Sequence, residues 1–206
     1  MNLTLLVLAK APVPGRSKTR LAPAFGPDGA ARLAAAALAD TLDAVAATPA
    51  ARRVLVLDGD PDVVAPPPGV EVVRQADGGH AERIAAAFEG CDGPALLVGM
   101  DTPQVTPALL GIDTSGAVDA WLGQAEDGGW WGLALREPRR YARRVLEGVP
   151  MSTARTGSAQ RVRLVAAGLR VADLPVLRDV DEPADAVAVA ASAPWTRLAA
   201  AVGVPV

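Results

Sequence analysis

The sequence contains one cysteine, Cys91, and one histidine, His80. A lone cysteine excludes an internal disulfide and a cysteine metal cluster. A lone histidine excludes multi-histidine metal centres, and any Ser-His-Asp scheme would have to run through it. Aromatic residues make up 3% of the chain, too few for the stacking platforms that bind single-stranded nucleic acid. With a pI near 5.2, no nucleic-acid partner is expected. No apolar run reaches about 18 residues, so no membrane span is predicted. MNLTLLVLAK has neither a basic start nor a small-residue cleavage site. It reads as a strand rather than a signal peptide, and a cytoplasmic location is expected.

The 206 residues are half apolar, enough for a sizeable core, and the length fits one domain over residues 1–206. The apolar runs at 3–9 and 94–101 read as buried strands, with further strands at 52–59 and 70–74. Helical patterns are predicted from about Pro27 to Ala47, over 80–90, briefly after Thr106, over PRRYARRVLEG, over TGSAQRVRLVAAGL and at the Ala-rich end. Residues 117–124 and 130–137 read as two strands joined by AEDGG, and RVADLPVL as a late strand. Strands alternating with helices predict a three-layer α/β/α fold around a mainly parallel sheet. The strand pair near 117–137 breaks the alternation and makes the sheet mixed.

One stretch is out of keeping with a chain of net charge −3. AKAPVPGRSKTRL places Lys10, Arg16, Lys18 and Arg20 directly after the first strand, on a segment stiffened by Pro12 and Pro14 and hinged at Gly15. The connection to the predicted helix runs roughly from Lys10 to Gly26, whereas such connections usually take about 2–6 residues. The junction from a strand's carboxyl end to a helix amino end is where α/β proteins hold anions. Lysine acts there as a point charge and arginine as a fork on phosphate oxygens. Neither a Walker A loop nor a G-x-G-x-x-G fingerprint is present. A small phosphorylated ligand is the reading, against a merely solvated basic loop.

Asp101 ends a buried strand in GMDTP, and Asp179 and Asp181 leave the last strand in DVDEP. Mg²⁺ on a nucleotide typically takes one or two protein carboxylates plus phosphate oxygens, so these three acids are candidate metal ligands. Turn formation before Pro103 for Asp101, or helix capping for Asp179 and Asp181, would explain them more blandly. Asp127, Gly128 and Gly129 form a hairpin turn or one wall of the site. Trp130 and Trp131 belong to the core or to that wall. His80 is expected on the surface at a helix start, and Cys91 in a structural role. Arg139, Arg140, Arg143 and Arg144 form a solvated helix face or an interface, which keeps a homo-oligomer open.

AKAPVPGRSKTRLAP, GMDTP, AEDGGWWGLAL and VLRDVDEPAD, in this order, resemble a bacterial family of uncharacterised glycosyltransferase-A-type proteins, the DUF2064 group. The chain is more distantly similar to phospholactate and molybdenum-cofactor guanylyltransferases. The resemblance implies a nucleotide-diphospho-sugar transferase fold with a nucleotide over the carboxyl edge of the sheet. By motif match, Lys18 and Arg20 hold phosphates, Asp101 takes one metal position and Asp179 or Asp181 the second. Residues 127–129 then shape the acceptor side. ADGGHAERI departs from the family's usual stretch at Gly79, His80 and Ala81, and Met151 stands where family members often carry Trp. A Mg²⁺- or Mn²⁺-dependent nucleotidyltransferase is the leading expectation, with Lys18 and Asp101 catalytic. It would use a nucleoside triphosphate and a small phosphorylated acceptor. A glycosyltransferase with a nucleotide-sugar donor, or a non-catalytic nucleotide-binding protein, are the alternatives.

Overall fold

β1 (Thr4–Lys10) is buried at every residue except Lys10, as a continuous apolar run requires of a strand covered on both faces. The computed structural model describes residues 2–203. β1 sits centrally in a seven-stranded sheet with β2 (Arg52–Asp58), β3 (Glu71–Arg74), β4 (Ala95–Gly99), β5 (Ala120–Ala125), β6 (Trp130–Leu135) and β7 (Val171–Leu177), in the order β3-β2-β1-β4-β6-β5-β7. β3, β2, β1 and β4 are mutually parallel. β6 runs antiparallel to both β4 and β5, and β5 is parallel to β7. Only β6 is reversed, so the β5–β6 turn lies on the same rim as the carboxyl ends of the other strands.

The side-chain period of two divides β1 between two cores. Leu5, Val7 and Ala9 face Leu38, Leu42 and Val45 of α1 (Ala22–Ala47). Leu6 and Leu8 face the other way, towards α2 (His80–Glu89), α4 (Pro138–Leu146) and α5 (Thr156–Ala166). α3 (Pro107–Leu110) lies on the α1 side. A third cluster, with Leu33, Val189 and Leu198, packs α6 (Pro183–Ser192) and α7 (Arg197–Val202) onto α1. The result is the expected three-layer α/β/α architecture with a mixed, mainly parallel sheet. Among the described residues, no helix is long and apolar enough to cross a membrane.

The basic connection is shorter than the sequence suggests. A 3-10 turn at Thr19–Leu21 leads straight into α1 at Ala22, and the irregular part is only residues 11–18. Pro27 does begin the long, straight part of the helix. Gly26 just before it takes a non-helical conformation (φ 71°, ψ 166°) that kinks the chain there, and glycine meets no Cβ penalty in doing so.

Candidate active site

The strand order reverses between β1 and β4: the chain goes outward through β2 and β3, then returns to the other side of β1. At such a switch point the loops leaving the two strands part and open a crevice outside their carboxyl ends. Here it is a cleft of about 710 Å³ whose walls include Lys10, Lys18, Asp101, Asp127, Asp179 and Asp181.

The loop after β1 holds its shape through its own backbone. The amides of Arg16 and Ser17 both donate to the Val13 carbonyl, as does the Ser17 hydroxyl, and Ser17 is buried. Lys18 follows in the left-handed region (φ 47°, ψ 44°), which non-glycine residues rarely occupy. Its side chain is buried, with Nζ 2.6 Å from Asp101 Oδ1 and 2.8 Å from Asp181 Oδ1. Burial alone would lower the Lys18 pKa, but the two carboxylates outweigh it and raise it, so Lys18 is a fixed cation. Arg20 reaches the other oxygen of Asp181, Nη1 to Oδ2 at 3.5 Å, from an exposed position. Lys10 and Arg16 are exposed on the same wall. Gly15 (φ 71°) forms the exposed turn of the loop, outside the cleft lining.

Backbone bonds bring the late acids to this rim. The Val180 amide donates to the Asp101 carbonyl at 2.8 Å, the Glu126 amide to the Leu177 carbonyl, and the Gln104 side chain to the Arg178 carbonyl. One carboxylate oxygen from each of Asp127, Asp179 and Asp181 thereby lies within 4.8 Å of the others. Capping of α6 does not use up Asp181, because Asp185 accepts from the Glu182 amide at its start. Asp127 spends one oxygen on its turn, accepting from the Gly129 amide at 2.7 Å. Asp179 is pushed up to about 6, first by burial and then by the charges of Asp127 and Asp181. Three hard oxygen donors that repel one another suit a divalent cation. Asp101 is not one of this trio: its Oδ1 pairs with Lys18 beside Asp181, close enough for its charge to act on Asp179. The acids that meet are therefore Asp127, Asp179 and Asp181, and the sequence motifs alone had set Asp127 on the acceptor side.

Gly128 packs against the segment after α4: a Cβ on it would lie 2.1 Å from the Ala154 carbonyl oxygen. The Gly157 amide donates to the Gly128 carbonyl. This join carries Met151, Ser152 and Thr153 to the cleft beside Gly129 and Trp130. The two indoles divide the alternatives between them. Trp131 is core, its Nε1 donating to the Pro175 carbonyl at 2.9 Å, while Trp130 walls the cleft.

The opposite end of the cleft includes His80 and Arg83 of the ADGGHAERI stretch, joined by Gln75, which no sequence motif marks. Gln75 donates to the carbonyls of Ala9 and Val56, bridging β1 and β2. Arg83 is held by Asp58 at 3.0 Å and by the Gly78 carbonyl. His80 lies at the rim, where desolvation and the neighbouring Arg83 push its pKa down, leaving it neutral at pH 7. Charged residues at strand and helix ends are too common for such a group to stand out without the fold. Cys91 is buried, its thiol directed at the Ala87 carbonyl.

Cations thus flank the β1–β2 half of the cleft, acids stand at its centre, and neutral side chains form the β6 half. Residues 41–153 match the family described as "Uncharacterized protein conserved in bacteria (DUF2064)". The chain belongs to this family. The match takes in GMDTP and AEDGGWWG, while the basic loop and DVDEP lie outside it. No curated protein matches the DUF2064 chain.

Among solved structures it is similar to a candidate nucleotide-diphospho-sugar transferase from Desulfovibrio desulfuricans G20. The two are 26% identical with a TM-score of 0.76, over 88% of this chain and 84% of that one. A nucleotidyl transferase from Methanothermobacter thermautotroptrophicus aligns at 17% identity and TM-score 0.63, over 92% of this chain and 96% of its own. The manganese complex of Rv0371C from Mycobacterium tuberculosis H37Rv aligns at 23% and 0.52, over 92% and 98%. The fold of the DUF2064 chain is therefore GT-A-like, in the manner of the nucleotide-diphospho-sugar transferases.

Proposed function

We propose that this protein is a divalent-metal-dependent nucleotidyltransferase. The carrying observation is that Lys18 and Arg20 meet Asp127, Asp179 and Asp181 in one cleft at the switch point of the sheet. A nucleoside triphosphate needs cations for its phosphates and a carboxylate-held metal, and both lie within reach of one another. The loop cations receive the phosphates, while Asp127, Asp179 and Asp181 would hold Mg²⁺ or Mn²⁺. When bound, the ion neutralises charge on the phosphate oxygens and on the leaving group.

An oxygen of the acceptor forms a bond to the α-phosphorus as the bond to the β-phosphate bridging oxygen breaks, and pyrophosphate leaves with that electron pair. The protein supplies alignment and charge, with no covalent enzyme intermediate. Gln75, His80 and Arg83 stand where the nucleoside would extend, and Trp130 and Thr153 on the acceptor side. The acceptor end has no cation of its own among Trp130, Met151, Ser152 and Thr153. A phosphorylated acceptor would therefore share the loop cations.

A glycosyltransferase reading is favoured by one observation, the description of the Desulfovibrio relative as a sugar transferase. The two readings separate in a thermal-shift series with ATP, GTP, CTP, UTP, UDP-glucose and GDP-mannose, each with and without Mg²⁺. A ligand that binds only the folded protein raises its melting temperature by mass action. Stabilisation by one triphosphate, deepened by Mg²⁺, is the expected result. A response to a nucleotide-sugar alone would replace the proposal with glycosyl transfer, and no response in a folded sample would leave no nucleotide site.

A further inference from the structure

Both oxygens of Asp181, one of the three acids that meet in the cleft, face cations. Lys18 Nζ holds Oδ1 at 2.8 Å and Arg20 Nη1 approaches Oδ2 at 3.5 Å. Lys18 is in turn anchored by Asp101 at 2.6 Å, and its side chain is only 11% exposed. As it stands, Lys18 is fully compensated and turned towards carboxylates, so it is no open phosphate receptor. Asp181 equally has its charge offset by the two cations. Each role is weakened while the pair stays together, and parting strengthens both.

We propose that Lys18 and Arg20 act as resident counter-cations that exchange partners on ligand binding, so that phosphate and metal sites open together. This rests on the nucleotidyltransferase reading for its ligands. A triphosphate entering over the β1 loop draws Lys18 and Arg20 onto its oxygens, which releases Asp181 to the metal beside Asp127 and Asp179. A metal arriving alone must displace Lys18 from a poorly hydrated contact, and an anion arriving alone must compete with two carboxylates for the same lysine. Each ligand therefore removes the other's competitor, and by linkage the coupling is reciprocal. Asp101 keeps its hold on Lys18 in either state and acts as a pivot. That accounts for an acid at this rim which stands outside the trio.

The test reads binding alone. Mn²⁺ affinity is measured in nucleotide-free protein from the electron paramagnetic resonance signal of free Mn²⁺, for wild type, Lys18→Met, Arg20→Met and Lys10→Met. Lys10 supplies the control, an exposed cation on the cleft wall with no acid partner among the described ion pairs. Lys18→Met is expected to bind Mn²⁺ about ten-fold more tightly than wild type, on the scale of one screened charge pair. Arg20→Met should gain less and Lys10→Met least. In the reciprocal arm, inorganic triphosphate is titrated in the presence of chelator into wild type, Asp181→Asn and Asp127→Asn. Both variants lose one negative charge, but only Asp181→Asn frees Lys18 and Arg20, so it should bind triphosphate several-fold more tightly than Asp127→Asn.

The exchange is overturned if Lys18→Met binds Mn²⁺ no better than Lys10→Met. Equal triphosphate affinity in Asp181→Asn and Asp127→Asn overturns it as well. If Lys18→Met does not fold, Arg20→Met and the triphosphate arm decide in its place. Neither arm reads turnover, so a protein that passes both and transfers no nucleotidyl group loses the reaction and keeps the exchange.

Discussion

Lys18 Nζ lies 2.8 Å from Asp181 Oδ1 although 163 residues separate them in the chain. The contact joins the loop after β1 to the segment after β7, and so links the centre of the sheet to its edge across the rim. Neither residue would be held here by its own element. Lys18 leaves a left-handed turn and Asp181 precedes the cap of α6, and the fold aims each of them at the other.

Replacing either Asp127 or Asp179 by Asn should weaken Mn²⁺ binding by at least about ten-fold, since affinity at oxygen sites follows the number of charged ligands. Asp101→Asn should weaken it much less, because Asp101 faces Lys18. Isothermal titration calorimetry at fixed ionic strength compares the three. An equal loss at Asp101 would move the ion towards the Lys18 position.

The metal-free protein should carry a pH signature from Asp179, whose pKa is raised to about 6. A folded-state value above the unfolded one means the folded chain binds the proton more tightly. Asp179 therefore favours folding most below about pH 4, near the ordinary aspartate value, and loses that contribution as pH rises to about 6. Asp179→Asn should gain melting temperature relative to wild type across this window and keep a constant lead above it. Thermal unfolding from pH 4 to 8 in the presence of chelator measures the difference, and a lead that does not change with pH would place the carboxyl in its ordinary range.

Gly128→Ala should be severe. A Cβ there would meet the Ala154 carbonyl oxygen at 2.1 Å, from a backbone at φ 89°. Overpacking and left-handed strain together cost about 3 kcal/mol, which for a chain of this size lowers the melting temperature by roughly 6–12 °C. Gly116→Ala, with nothing within 4 Å of the new atom, should change it little.

The adjacent tryptophans should respond in opposite ways. Trp131→Phe breaks the bond to the Pro175 carbonyl and loosens a contact with Gly123, at a cost of about 2 kcal/mol in urea unfolding. Trp130→Phe breaks no hydrogen bond, since its Nε1 makes none, and should leave stability near wild type. It changes the cleft wall instead, and its effect should appear in the Michaelis constant for the acceptor.

Much of the fold was legible in the sequence because its strongest signals are local. The apolar runs at β1 and β4 read as buried strands and that at β2 as a strand, and the AEDGG turn announced the pair that makes the sheet mixed. The start of α1 was misjudged because Pro27 looks like a first helical residue, whereas the chain is already helical from Ala22 and Gly26 merely kinks it. For the site, sequence could mark Lys18, Asp101, Asp127, Asp179 and Asp181 as charges at strand ends. Their grouping depends on β7 pairing with β5 and on the Val180 amide reaching Asp101, long-range facts with no local trace. Gln75 carries no sequence signal for the same reason: a glutamine after a strand is ordinary until two carbonyls are found beneath it.

The pairing of β7 with β5 also sets the order in which the two signs of charge arrive. Up to the end of β4 the chain carries Lys10, Arg16, Lys18 and Arg20 with Asp58 and Asp101 at the same rim, and Asp127 follows with the β5–β6 turn. The trio of acids is complete only when the last strand docks and brings in Asp179 and Asp181. A chain cut before Val171 would keep the four loop cations and lack two of the three acids that meet them.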